Sequence, residues 1–158
     1  MIPQVLILGW GNLSRGDDAL GPLLLQALRS VLPDSLCDQL ELIDDYQLQI
    51  EHALDMHGRA RVLFVDASLS CTAPFEVTAL QAQQDASYTT HRLSAPALMH
   101  IYQNLQGALP PPCTLLAIRG EAFELGEPLS TRAQSHLAQA LLWAQNWISN
   151  GTTRDATI

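Results

Sequence analysis

Short uninterrupted apolar runs alternate along the chain with longer stretches in which apolar residues recur at helical spacing. Val5-Leu6-Ile7-Leu8 is almost purely apolar and stops at Gly9-Trp10-Gly11-Asn12, the pattern of a strand buried on both faces that empties into a tight turn. Leu20, Leu24, Ala27, Leu28 and Val31 then predict a helix that ends at Leu32-Pro33. A second strand spans Leu40 to Ile43 and ends in Asp44-Asp45-Tyr46, and Leu48, Ile50 and Leu54 predict a short helix to about Met56. Val62-Leu63-Phe64-Val65 predicts a third buried strand, ending in Asp66-Ala67-Ser68.

Beyond it, alternation at Phe75, Val77 and Ala79 predicts an edge strand with one wet face, close enough to strand three for a hairpin-like antiparallel pairing. The polar stretch Gln81 to Thr90 reads as loop and ends at His91, before a helix with Leu98, Ile101, Tyr102 and Leu105 on its apolar face. Cys113 to Ile118 is the fifth strand. The last helix, with Leu129 as staple and Ser130 as cap, carries Ala133, Leu137, Leu141, Ala144 and Ile148 on one face. It is expected to run to about Ser149 and to leave 150–158 as a frayed tail.

Strands alternating with helices imply an α/β fold with a doubly wound sheet, in which strand one lies between strands two and three. The loops leaving strands one and three would then be neighbours, and Asp18 and Asp66 would face one another at the carboxyl ends of the strands. Two such carboxylates are costly together unless a proton or a cation lies between them.

Composition narrows the picture. At 158 residues, 47% hydrophobic, the chain has the size of one domain, taken as 1–149. The net charge of -8 argues against nucleic acid or an anionic membrane as partner. No basic leader and no run approaching ~18 apolar residues is present, so a soluble, cytoplasmic protein is expected. Cys37, Cys71 and Cys113 are far apart and odd in number, which suggests ordinary thiols; Cys71, near strand three, is the one with a possible functional role.

The glycines after strand one do not make a nucleotide loop. The dinucleotide fingerprint needs a glycine where Ser14 stands, Asp17 and Asp18 would repel a pyrophosphate, and a Walker loop needs a lysine that the chain lacks altogether. The plain alternative for either Asp is a helix cap. Glu51, His52, His100 and His136 read as solvated or structural, and Trp143 and Trp147 as core or partner contacts. His91 stands apart because, with Asp18 and Asp66, it completes a two-carboxylate, one-imidazole set suited to zinc, nickel or related ions.

Taken together, these residues resemble the endopeptidases that mature [NiFe] hydrogenases. Gly9-Trp10-Gly11-Asn12 followed by Asp17-Asp18-Ala19-Leu20-Gly21 is similar to that family's Gly-x-Gly-Asn...Asp-Asp/Glu-x-x-Gly signature. Val65-Asp66-Ala67 resembles its central strand-end acid, Thr90-His91 its single histidine, and Ala117-Ile118-Arg119-Gly120-Glu121 with Gly126 and Leu129-Ser130 its last strand and turn. The resemblance implies a three-layer α/β/α sandwich around a five-stranded, mostly parallel sheet with one antiparallel strand. It implies that Asp18, Asp66 and His91 hold or sense a metal and carry catalysis. That metal would be nickel supplied by the substrate, the hydrogenase large-subunit precursor, so no cofactor is expected to be permanently bound. The product would be a large subunit freed of its C-terminal extension, and the peptidase is expected to act as a monomer.

The sequence departs from the family's Asp-Gly-Gly-Thr after strand two. Asp44 is retained, but Asp45-Tyr46-Gln47 and Leu48 follow it, which puts bulky groups where glycines would give backbone freedom. Asp44, Tyr46, Gln47 and Leu48 are therefore candidates for substrate contact. The Gln-Leu pair is similar to the subgroup serving soluble NAD-linked hydrogenases. Ser14 and Ser68 lack a nucleophile-elbow setting and Cys71 has no histidine near it in sequence, so a metal-assisted route fits better than a covalent one. Whether nickel polarises the scissile carbonyl or only positions it, and which carboxylate is the base, stays open at this level. So do two other readings, a non-catalytic precursor chaperone and a free-standing zinc peptidase.

Overall fold

The structure, a computed structural model, describes residues 2–84 and 92–156, with side chains as far as residue 151. Its elements in chain order are β1 (Val5–Trp10), a 3-10 turn (Gly16–Ala19), α1 (Leu20–Val31), α2 (Asp34–Cys37) and β2 (Leu40–Asp45). After these come α3 (His52–Asp55), β3 (Arg61–Ser68), β4 (Phe75–Ala79), α4 (Ala95–Gln106), β5 (Cys113–Arg119) and α5 (Thr131–Ala156).

Every residue of β1 is buried, as its unbroken apolar run requires of a central strand. The sheet order is β2-β1-β3-β5-β4, with β1 parallel to β2 and β3, β3 parallel to β5, and β4 antiparallel to β5. Successive β1 residues face opposite sides of the sheet. Val5 and Ile7 pack with Leu24, Leu25 and Leu28 of α1 and with Ala133, Ala140, Ala144 and Ile148 of α5. Leu6, Leu8 and Trp10 pack on the other face with Ala53 of α3 and Leu98, Met99 and Tyr102 of α4. Two apolar layers thus flank one mixed sheet, the α/β/α sandwich expected. Each fully buried leucine in them contributes roughly 1.5–3 kcal/mol. Among the described residues no helix is long and apolar enough to cross a membrane.

Three expectations need correction. β4 is an edge strand, but it pairs with β5, Phe75 opposite Ile118, and not with β3. The edge of β3 is taken by β5, and the turn after β3 carries the chain past it: Ser68 Oγ accepts the N–H of Cys71 at 3.0 Å, and Arg119 Nη1 donates to the Cys71 carbonyl at 2.7 Å. The last helix continues past Ser149 to Ala156. Its later turns are tied to the start of β3 by Arg61, which lies 3.8 Å from the centre of the Trp147 ring and donates to the carbonyls of Trp147 and Ile148. On α4, Met99 is buried in place of Leu105, which is exposed.

Candidate functional site

The loop leaving β1 is pressed onto the sheet by its glycines. A Cβ at Gly21 would lie 2.6 Å from the carbonyl oxygen of Trp10 and 2.8 Å from that of Val65, so only glycine lets α1 begin directly against the ends of β1 and β3. That close approach brings the 3-10 turn bearing Asp17 and Asp18 beside Asp66, which follows Val65 on β3.

The two adjacent aspartates do different work, and neither caps the turn or α1 with its side chain. Asp17 is fully buried and points away from the cavity that Asp18 lines. Its carboxylate accepts the N–H groups of Glu121 at 2.7 Å, Ala122 at 3.0 Å and Ser130 at 2.7 Å, and the Ser130 hydroxyl at 2.7 Å. Burial pushes this carboxyl up, but the hydrogen bonds outweigh it and hold the group below the ordinary carboxylate range. Ser130 also caps α5, accepting the N–H of Ala133 at 3.2 Å, so one carboxylate fixes the β1 loop, the loop after β5 and the start of the last helix.

Asp18 and Asp66 line a single cavity of about 320 Å³, together with Arg15, Ala67, Leu69, Arg92 and Phe123. Asp18 is 4% exposed; its Oδ2 accepts the Asn12 N–H at 2.9 Å and its Oδ1 lies 3.6 Å from Arg92 Nη1. Desolvation, with the Asp18 charge adding to it, pushes the Asp66 carboxyl up to about 7, against the opposing pull of the Ala67 N–H and Arg92. The pair therefore favours sharing a proton or a cation over carrying two bare charges. A second cavity of about 460 Å³, lined by Glu121, Ala122, Glu124 and Leu125, opens from the first through shared Arg15, Leu69 and Phe123.

His91 lies outside the described residues. Among the described residues no three His, Cys, Asp or Glu side chains gather into a metal-ligating group. Asp44 is ion-paired with Arg29 at 2.9 Å, Tyr46 is exposed and Gln47 half-buried, and none of them lines the Asp18–Asp66 cavity. Leu48 is a core residue, 3% exposed and packed in the cluster that holds Trp10, which removes it from the surface altogether.

His52 is likewise buried, not solvated, with Nδ1 accepting the Gln49 N–H at 2.8 Å and Nε2 3.2 Å from Asp45. Cys71 is buried and 3.5 Å from the Ala117 carbonyl, and burial pushes the Cys113 thiol up to about 12, so both are packing groups. Sequence reasoning missed Arg15, Arg92 and Phe123, which enter the cavity from loops; the one available signal was that Arg92 directly follows His91.

No protein-family model matches the sequence, and no curated protein matches it. Solved structures do match in three dimensions. The hydrogenase maturating endopeptidase HybD from E. coli superposes with a TM-score of 0.74 at 22% identity, over 94% of this chain and 93% of that one. The [NiFe] hydrogenase maturation protease HycI from Thermococcus kodakarensis KOD1 gives 0.69 at 20% identity, over 92% of each chain. A hydrogenase 2 maturation peptidase from Thaumarchaeota archaeon SCGC_AB-539-E09 gives 0.64 at 22% identity, over 92% of this chain and 97% of that one. Across almost its whole length, this chain has the fold of those three proteins.

Proposed function

We propose that this chain is an endopeptidase that removes the C-terminal extension of a nickel-loaded [NiFe] hydrogenase large-subunit precursor. The observation that carries the reading is the meeting of Asp18 and Asp66 in one cavity at the carboxyl ends of the parallel strands. The shared fold supports it, as does the Gly-x-Gly-Asn loop from which Asp18 projects.

In this reading nickel belongs to the substrate. Asp18 and Asp66, with His91 as the third ligand, meet the nickel of the docked precursor, and its charge offsets their mutual repulsion. The scissile peptide is thereby fixed beside the carboxylates. Water adds to its carbonyl carbon, a carboxylate oxygen not engaged by the metal takes the water's proton and returns it to the leaving nitrogen, and the C–N bond breaks. Asp17 keeps the loop that carries Asp18 in register with the loop after β5.

A protein substrate also suits the surroundings. Exposed Leu13, Tyr46, Leu69 and Leu125 stand on the loops after β1, β2, β3 and β5, around the strand ends where the cavity opens. The finer assignment is a soluble NAD-linked hydrogenase as the enzyme served, on the strength of the Gln47-Leu48 pair. Mass spectrometry of such a precursor, nickel-loaded or nickel-free, mixed with this protein tests the proposal. Loss of a C-terminal peptide in the loaded sample alone is expected. Binding without cleavage in both samples would replace the peptidase with a precursor chaperone. About one equivalent of zinc retained through dialysis, with cleavage of the nickel-free precursor, would replace it with a zinc peptidase.

A further inference from the structure

Both oxygens of Asp18 are already engaged. Oδ2 accepts the Asn12 N–H at 2.9 Å, and Oδ1 faces Arg92 Nη1 at 3.6 Å. The two partners differ in kind. Asn12 belongs to the fixed loop after β1, whereas the Arg92 side chain is 52% exposed and reaches Asp18 from the solvent side, so it can swing out without disturbing the core. Arg92 also borders Asp66 in the same cavity and opposes the repulsion between the two carboxylates. The other arginine of the cavity, Arg15, is anchored elsewhere, its Nε donating to the Phe123 carbonyl at 3.2 Å. A guanidinium has donors only and cannot ligate a metal, so its charge 3.6 Å from Oδ1 competes with a metal ion for Asp18.

We propose that Arg92 is a displaceable counter-cation, which occupies Asp18 Oδ1 in the resting protein and keeps free divalent metal off the carboxylate pair. It yields to a metal that arrives fixed within a docked partner. The inference rests on the reading that nickel comes with the precursor. A free aqueous ion has to shed water and expel Arg92 with only the ligands of the site itself to offset the cost, whereas a metal carried by a docked protein draws on the whole contact surface as well. Arg92 thus sets specificity, making the site respond to loaded precursor and not to dissolved metal.

The test is calorimetric titration of nickel chloride into the untagged full-length protein at low ionic strength, without precursor. Arg92→Gln is expected to bind nickel at least ~10-fold more tightly than wild type, because an opposing unit charge within a few ångströms is gone. Arg92→Lys should stay near wild type, since it keeps the charge. The gain should vanish in Arg92→Gln/Asp18→Asn, which would place it at this site and not at a surface histidine. Arg92→Ala serves as a second neutral variant, and metal-free thermal unfolding checks that each variant is folded. Equal affinity in wild type and both neutral variants, or a gain that survives Asp18→Asn, would overturn the proposal. The outcome is separable from the processing reading: tighter nickel binding by Arg92→Gln, together with no cleavage of loaded precursor by the wild-type protein, would leave the counter-cation standing and remove the peptidase.

Discussion

Asp17 and Ser130, 113 residues apart in the chain, are joined by two hydrogen bonds of 2.7 Å each, from the Ser130 N–H to Oδ1 and from its hydroxyl to Oδ2. With the N–H groups of Glu121 and Ala122 on the same carboxylate, the join ties the loop after β1 to the loop after β5. Asp17→Ala would leave buried donors without an acceptor and should cost roughly 3–5 kcal/mol, read as a lower urea midpoint. Asp17→Asn keeps one acceptor oxygen and should cost less. Because the folded carboxyl lies below its ordinary value, its contribution is full above the unfolded pKa of about 4 and is lost as pH falls through the folded one. The stability gap between wild type and Asp17→Asn should therefore close in acid; a constant gap would count against the role given to the charge.

Asp66 has the opposite sign. Its folded carboxyl is pushed up to about 7, so between about pH 4 and about pH 7 the folded protein holds a proton that the unfolded chain has released. Stability should fall as pH rises through this window, by on the order of 4 kcal/mol. Asp66→Asn should remove most of that fall and be more stable than wild type at about pH 8. Chemical unfolding at both pH values checks it, and parallel profiles for the two proteins would contradict the buried, Asp18-facing setting.

Asp18→Asn and Asp66→Asn should each lower processing of nickel-loaded precursor by at least ~100-fold while leaving a cooperative unfolding transition. The readout is the mass of the large subunit over time. Near-normal processing by either variant would remove that carboxylate from the reaction.

Leu69 borders both cavities and Leu125 the second, and both side chains are exposed. Leu69→Asp and Leu125→Asp should raise the KM for precursor about 10-fold, with kcat and Tm close to wild type. Leu142→Asp, exposed on α5, should change neither constant. Equal effects from all three would mean that the cavity mouth has no privileged part in docking.

The encounter of Asp18 with Asp66 was legible because β1 and β3 announce themselves as buried apolar runs, and parallel crossovers leave few ways to order them. Ser130 as a cap was legible from local chemistry, but its bonds to Asp17 were not, since nothing near either residue signals the other. The partner of β4 was hidden for a related reason. Alternation at Phe75, Val77 and Ala79 marks an edge strand without saying whose edge it joins. Leu48 and His52 show the limit of loop reading: Leu48, ahead of α3, and His52, at its start, are turned inward while Ile50 and Leu54 face out, and only packing against Trp10 and pairing with Asp45 reveal it.

The insertion of β5 between β3 and β4 also sets a timetable for a chain made from its N-terminus. β2, β1 and β3 can assemble as soon as Ser68 has been synthesised, but β4, which follows, finds its sheet partner only when Cys113 to Arg119 appears. Until then the nascent protein carries a bare outer edge on β3 next to an unpaired β4, and a premature hairpin between them is the misfold nearest to hand. The turn at Ser68 and Cys71 is closed by a hydroxyl within the turn itself, whereas Arg119, which fixes the Cys71 carbonyl, arrives with β5. The residue that ends the late strand thus also locks the path that kept its place open.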